Sequence, residues 1–166
     1  MPNPFLLGAG WTWIYPSYSE TWSADIWEFP RSPNSVFPHS TLCLTQNFYA
    51  RDCIILYSEL ATIIAAMRNR VKQPKVDPNG GDTQEALFNE LEEYISRQFR
   101  HAFPMEKGFP VLILSYVGPQ HARFLYAYME RRQLVIRLSR LYKFERKATA
   151  PLDLFARVLL SRPLTE

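Results

Sequence analysis

Gly108 to Lys147 read GFPVLILSYVGPQHARFLYAYMERRQLVIRLSRLYKFERK, and this segment holds the clearest structural pattern in the 166-residue chain. Three short runs rich in β-branched and aromatic residues span 109–117, 122–129 and 134–142. Turn signals separate them, with Gly118-Pro119 after the first run and a polar patch at 130–133 after the second. Runs of this kind are typical of strands, and connections this short favour an antiparallel meander. The segment therefore predicts a three-stranded sheet.

The polar residues are distributed differently in the first and third runs. The first run shows no polar alternation, which indicates a central strand covered on both faces. In the third run, Leu134, Ile136 and Leu138 alternate with Arg137 and Ser139. Successive side chains of a strand point to opposite faces, so one face of this strand is expected to be polar and cationic.

Helical periodicity appears on both sides of the sheet segment. Apolar residues recur at intervals of three and four from about Ala50 to Val71, and a second such pattern runs from Asp82 to Pro104. A final helix is predicted after Pro151. The fold class is thus predicted to be α+β. We expect a small, mostly antiparallel sheet of three to four strands, packed by two long helices and a C-terminal helix.

Residues 1–40 are rich in aromatic residues and proline and follow no single period. We expect an irregular arm that buries its rings against the core, because large rings bury much area per residue. An exposed aromatic platform for bases, sugars or a peptide is the alternative. The chain is predicted to be a single α+β domain, residues 1–166, with the arm at 1–40 and the core at 41–166. Homo-oligomerisation through the arm is a further hypothesis.

The composition excludes several classes of protein. Hydrophobic residues make up 47% of the chain, which is enough for a core and argues against global disorder. Two cysteines, Cys43 and Cys53, are too few for a disulfide scaffold, and Cys53 is predicted to be a buried thiol of the first helix. Neither a secretory signal nor a run of membrane-spanning length is visible. These features predict a soluble intracellular protein, cytoplasmic or nuclear, that does not bind membranes.

Charge is distributed unevenly along the chain. Residues 1–99 hold seven Lys/Arg and eleven Asp/Glu, a net of −4, whereas residues 100–166 hold twelve and five, a net of +7. Basic and aromatic residues interleave on the second and third predicted strands, a pattern that can bind phosphates and stack bases. The predicted binding residues are Arg123, Arg131, Arg132, Arg137, Arg140, Lys143, Tyr126 and Tyr128. Two interpretations stay open: a surface for nucleic acid or an acidic protein, and a solvated face that complements the acidic half.

No complete catalytic motif is present, and neither a metal site nor a cofactor is predicted from the histidines and cysteines. The order helix, strand, strand, strand, helix resembles the restriction-endonuclease-like core, which binds a divalent metal through strand acids and an (Asp/Glu)-x-Lys pair. The resemblance implies Glu130, Glu145 and Lys147 as catalytic residues with Mg²⁺, although Gln120-His121 stand where the first acid is expected. The leading prediction is a non-catalytic interaction module. A metal-dependent nuclease-like domain, active or degenerate, is the alternative.

Overall fold

The computed structural model describes residues 11–14, 21–28, 30–32, 35–75 and 100–161. The strands are β1 (Trp11–Ile14), β2 (Thr21–Trp27), β3 (Pro30–Ser32), β4 (Ser35–Val36), β5 (Ser40–Tyr49), β6 (Val111–Gly118), β7 (His121–Glu130), β8 (Gln133–Leu138) and β9 (Tyr142–Lys143). The described helices are α1 (Tyr57–Lys72) and α2 (Leu152–Leu159). Within these ranges, no helix has the length and apolar character needed to cross a membrane.

Seven of the described strands form one mixed sheet. Neighbours follow the order β1-β2-β5-β6-β7-β8, and β9 pairs with β7. β5 and β6 are parallel, and the other pairs in this sheet are antiparallel. The predicted three-stranded meander is confirmed as β6, β7 and β8, and so is the α+β class. The sheet is larger than the three to four strands predicted, and it is mixed, because β5 joins β6 in parallel through a crossover that includes α1.

The N-terminal residues that the structure describes are more regular than an irregular arm. β1 and β2 form an antiparallel pair, and β2 also pairs with β5. Trp22 and Ala24 of β2 are buried in the core, on the side that faces α1. Backbone pairing explains the difference, since a strand in the sheet satisfies its amides and carbonyls while it buries alternate side chains. The predicted arm therefore contributes strands to the sheet over residues 11–14 and 21–27.

Helix α1 packs on one face of the sheet, but its orientation differs from the predicted one. The helical periodicity of the sequence predicts Tyr57, Ile64 and Val71 on the apolar face, but these residues are exposed, whereas Glu59 and Arg70 are buried. Ion pairs explain the difference. Arg70 pairs with the Glu28 carboxylate and also donates to the carbonyls of Pro38 and His39 at 3.2 and 3.0 Å. Glu59 pairs with Arg123 of β7.

The start of α1 also lies later than predicted. The periodicity suggested a helix from about Ala50, whereas α1 begins at Tyr57. Cys53 has φ of 64°, a left-handed conformation that an α-helix cannot contain, and it is exposed instead of buried in the core. The loop that precedes α1 is attached to the segment just before β9 at Asp52, whose carboxylate accepts a hydrogen bond from the Leu141 amide at 2.8 Å.

Helix α2 packs on the opposite face of the sheet through one buried side chain. Phe155 contacts Phe124 of β7 at a ring-centroid distance of 4.2 Å and Phe144 at 4.9 Å. Tyr142 and Tyr116 lie 5.6 and 6.0 Å from the same ring. This aromatic cluster covers the sheet face at the start of β7. Helix α2 does not extend over the same face at the end of β7.

The second predicted helix begins at Asp82. Most of it lies outside the described residues, because the structure does not describe residues 76–99. Its predicted last turn is described and is not helical. There the Ala102 amide donates to the Gln73 carbonyl and the Lys75 amide to the Arg100 carbonyl, both at 2.8 Å. A short bridge between two extended segments thus stands where the pattern predicted helix.

Candidate functional site

The predicted binding residues of β7 divide between the two faces of the sheet. Residues that are paired across neighbouring strands lie on the same face, and the face changes at each step along a strand. Arg123 therefore shares its face with Leu125 and Ala127, towards α1. Tyr126 and Tyr128 share the opposite face with Phe124, towards α2.

Arg123 is a structural residue and does not belong to a surface site. Its side chain is completely buried, and its Nε and Nη2 atoms donate to the two carboxylate oxygens of Glu59 at 2.9 and 2.5 Å. The same guanidinium donates to the carbonyls of Arg51 and Ile54 at 3.0 and 2.8 Å. The prediction that Arg123 contacts an external partner is corrected by this burial, because its donors are used inside the protein.

The buried ion pair extends into a polar network between α1 and the sheet. Ser115 of β6 donates to the Glu59 carboxylate at 2.8 Å, and Gln46 of β5 donates to the Ser115 hydroxyl at 2.9 Å. Ser58 in turn donates to the Gln46 side-chain carbonyl. Serine and glutamate side chains are brought together here, but each is buried and hydrogen-bonded. The cluster therefore orients α1 on the sheet and offers no atom to a substrate.

Tyr126, Tyr128 and Arg137 form an accessible group on the α2-side face. The two tyrosine rings lie 5.7 Å apart between centroids. Arg137 is the β8 partner of Tyr126 in the sheet register, and its guanidinium lies 5.9 Å from the centre of the Tyr128 ring. Tyr126 is 39% exposed, and Arg137 is exposed. A cation beside two aromatic rings is thus available to solvent on an ordered sheet.

The same face bears a row of residues in register across five strands. Trp27 pairs with Thr41, Thr41 with Leu112, Leu112 with Tyr126 and Tyr126 with Arg137. Thr41 is buried and Leu112 half-buried, whereas Trp27 is 48% exposed. Three strand spacings of about 4.8 Å place Trp27 roughly 14 Å from Tyr126. An exposed ring and the tyrosine–arginine group therefore lie on the same sheet face, separated by the buried Thr41 and the half-buried Leu112.

Arg131 and Arg132 form the two-residue turn of the β7–β8 hairpin. Their φ angles are 46° and 71°, so both adopt the left-handed conformation of a type I′ turn. Asparagine and glycine favour this conformation, whereas a long side chain is disfavoured there by about 1 kcal/mol per residue. Both arginines are exposed. The turn lies at the end of β7 that also presents Tyr128, so these charges stand beside the tyrosine–arginine group.

We use the name hairpin surface for Tyr126, Tyr128, Arg131, Arg132 and Arg137. It combines three cations with two rings, and the exposed Glu130 beside the turn is the acid within the same hairpin. Its net charge is positive, and strands β7 and β8 hold its members in a defined arrangement.

Arg140 and Lys143 lie apart from the hairpin surface. Arg140 is exposed and lies over the Tyr142 ring at 5.1 Å, and Tyr142 belongs to the Phe155 cluster. Lys143 pairs with His121 at the opposite end of β7 from the turn. The predicted binding residues are thus separated into two basic groups, one at each end of the hairpin.

The three residues suggested by the endonuclease resemblance do not share a site. Glu130 is the last residue of β7, whereas Glu145 and Lys147 follow β9, which pairs with His121 and Ala122 at the start of β7. At about 3.3 Å per residue, the strand separates His121 from Glu130 by roughly 30 Å. Oxygen ligands of one Mg²⁺ ion lie about 2.1 Å from it, so these acids cannot bind the same ion. Among the described residues, no group of three His, Cys, Asp or Glu side chains is arranged to hold a metal.

Cys43 of β5 lies on the same sheet face and is half-buried. Burial raises the pKa of its thiol, and the nearby Asp25 acts in the same direction, while a hydrogen bond from Trp27 partly opposes them. The thiol is therefore kept protonated, and a protonated thiol is a poor nucleophile.

No protein-family model matches the chain, and neither the curated proteins nor the solved structures give a significant match. Function must therefore be argued from the site itself.

Sequence reasoning missed two features that shape the site. The sequence does indicate the burial of Arg123, since alternate residues of a strand share a face and Arg123 is followed at this spacing by the apolar Leu125 and Ala127. The left-handed backbone of Arg131 and Arg132 is indicated by the two-residue length of the link between adjacent strands, because such links favour type I′ turns.

Proposed function

We propose that this chain is a non-catalytic binding module whose hairpin surface contacts an anionic partner, either a nucleic acid or an acidic protein surface. The observation behind the proposal is the Arg131-Arg132 turn. Both residues adopt φ angles at which glycine or asparagine would be more stable. Residues that break a local stability rule occur mainly at functional sites. Charge is the property that two arginines supply at this turn and that Asn-Gly would not.

The neighbouring residues support the same role. Arg137 is held beside Tyr128 on the exposed sheet face, and Arg131 and Arg132 extend the positive charge beyond the strand ends. Arginine binds phosphates and carboxylates with two parallel hydrogen bonds, and three arginines on one rigid hairpin can contact several anionic groups together. Within the part of the chain that the structure describes, the acids considered as catalytic lie far apart, so binding is favoured over chemistry.

A charge-matched pair of variants tests this proposal. Binding of the purified chain to heparin, to an oligonucleotide and to polyglutamate is measured by fluorescence anisotropy or column retention at increasing salt. We expect affinity for at least one polyanion to fall steeply with salt, and Arg131→Asn/Arg132→Gly to weaken it by roughly tenfold or more. The control Arg146→Gln/Lys147→Gln removes the same charge from an exposed loop and is expected to cause a smaller loss. Absence of binding by the parent chain at low salt would refute the proposal.

A further inference from the structure

We infer that the ligand of the hairpin surface is a single-stranded nucleic acid whose bases stack on Tyr126 and Tyr128, an inference that rests on the proposed function. An acidic protein would need the arginines alone. The rings are an additional feature that such a partner does not require, and their placement favours bases.

The two tyrosines occupy alternate positions of β7, so both project from the same sheet face. Their centroids lie 5.7 Å apart, so two neighbouring bases of an unstacked strand can each stack on one ring. One isolated ring would offer a place to a single base. Sheets that bind single strands use rings placed in this way, since every base has a face that can stack whatever the sequence. Stacking on tyrosine therefore predicts binding with little sequence preference.

Arg137 completes the group. Its guanidinium lies beside the Tyr128 ring and opposite Tyr126 in the register, so one cation is adjacent to both candidate stacking positions. Guanidinium groups stack on bases and also bind phosphates. At the end of the hairpin, Arg131 and Arg132 are placed to contact the phosphates that follow, and the register row leads in the other direction to the exposed ring of Trp27.

The arrangement also predicts a preference for single strands. Bases in a duplex are already stacked and paired, so a ring on a broad sheet cannot reach their faces without the cost of unstacking. A duplex of equal length is therefore expected to bind through its phosphates alone, and more weakly than the single strand does.

Three probes of matched charge separate stacking from attraction between charges. The affinities of a twelve-nucleotide oligothymidylate, an abasic sugar-phosphate oligomer of the same length and polyglutamate are measured at one low salt concentration. We expect oligothymidylate to bind at least about tenfold more tightly than the other two, because stacking on each ring contributes a factor of this size. Equal affinities for all three probes would overturn the stacking inference and leave the proposed function intact. No binding of any probe would refute the proposed function itself.

Variants of the rings give the second arm of the test. Tyr126→Leu and Tyr128→Leu are each expected to weaken oligothymidylate binding by about tenfold and to leave binding of the abasic oligomer unchanged. Tyr126→Phe and Tyr128→Phe keep the rings and are expected to retain parental affinity, which distinguishes stacking from loss of the fold. Tyr49→Leu, at an exposed tyrosine at the far end of β5, is the control and should bind as the parent does. Equal binding by the leucine and phenylalanine variants would contradict the inference.

Discussion

Arg123 and Arg137 lie on neighbouring strands and place the same chemical group in opposite environments. Arg123 is completely buried and donates to both carboxylate oxygens of Glu59, whereas Arg137 is exposed beside Tyr128. The difference follows from the parity of the strand position, because one residue faces α1 and the other faces away from it. A residue's contribution to charge on the surface is thus decided by the face of the sheet on which it lies.

The buried pair has a testable energetic consequence. Arg123→Ala leaves the Glu59 carboxylate buried without its cation, and we expect the free energy of unfolding to fall by about 3–5 kcal/mol. Glu59→Met/Arg123→Met removes both charges and fills much of the space, so its loss is expected to be clearly smaller. Urea denaturation of the parent and the two variants gives the comparison.

The comparison of the two variants also distinguishes charge pairing from packing. If Arg123→Ala and the double variant lost the same stability, the network around Glu59 would contribute through packing and not through the pairing of buried charges. Arg157→Ala, at an exposed position of α2, is a suitable control and should cost less than about 0.5 kcal/mol.

At the scale of single elements, the β7–β8 hairpin combines a strained turn with well-paired strands. Six register pairs join β7 to β8, from Leu125 with Leu138 to Glu130 with Gln133. These pairs hold the turn in its left-handed form although neither Arg131 nor Arg132 favours that form. The turn is therefore less stable than an Asn-Gly turn would be, and it exposes two positive charges. The effect of this sequence on stability and on binding can be measured.

Arg131→Asn/Arg132→Gly is expected to raise the free energy of unfolding by about 1–2 kcal/mol while it weakens binding to polyanions, because it replaces disfavoured turn residues with favoured ones. Thermal or urea unfolding measures the first effect, and the binding assay measures the second. Arg131→Lys/Arg132→Lys keeps both the charge and the strain and should leave stability near that of the parent. A loss of stability in the Asn-Gly variant would contradict the turn geometry.

Helix α1 shows how ionic contacts determine the orientation of an element. An apolar stripe alone would have turned Tyr57, Ile64 and Val71 inward, yet these residues are exposed. Glu59 accepts from the Leu56 amide at 2.8 Å at the start of the helix and pairs with Arg123 in the sheet. Arg70 binds the segment before β5 from the last turn. Both ends of α1 are thus held by charged groups that burial forces into pairs.

For the whole molecule, the uneven charge along the chain has two consequences. The Glu59–Arg123 pair joins the acidic N-terminal half to the basic C-terminal half, so part of the asymmetry is used inside the protein. The exposed arginines of the hairpin lie outside this pairing network and leave positive charge on the surface. Complementarity within the fold therefore accounts for Arg123, and a binding surface at the exposed arginines stays a prediction.

Global stability should also depend on pH through His39, which lies between α1 and the loop at Glu106. Burial lowers the pKa of His39 below its ordinary value of 6.5, the Glu106 carboxylate partly opposes this shift, and Arg70 adds to it. Just below pH 6.5 the unfolded chain binds the proton more readily than the folded one does. The contribution of His39 is therefore full above pH 6.5 and is lost as the pH falls towards the pKa of the folded state.

The measurement is the free energy of unfolding of the parent and of His39→Gln between about pH 5 and pH 8. We expect the parent to lose more stability than the variant on acidification below pH 6.5, because glutamine does not titrate. Parallel profiles for the two proteins would show that His39 does not contribute to the pH dependence.

The sequence by itself determined the α+β class, the three strands of the meander and the C-terminal helix after Pro151. Alternation and turn residues are local signals, and they were sufficient at these places because neighbouring strands in the chain also pair in the sheet. It also placed the five residues of the hairpin surface in one predicted binding set, but together with Arg123, Arg140 and Lys143, which lie elsewhere. The predictions of a nucleic-acid or acidic partner and of assembly through the N-terminal residues remain predictions.

Only the tertiary structure decided the parallel β5–β6 pair, the β2–β5 pair, the rotation of α1 and the removal of Arg123 from the surface. Each depends on a contact between residues far apart in the chain, such as Glu59 with Arg123 or Ser40 with Val111. Periodicity shows that a residue lies on an apolar face, but whether a charge can stay on that face depends on a partner that only folding brings to it.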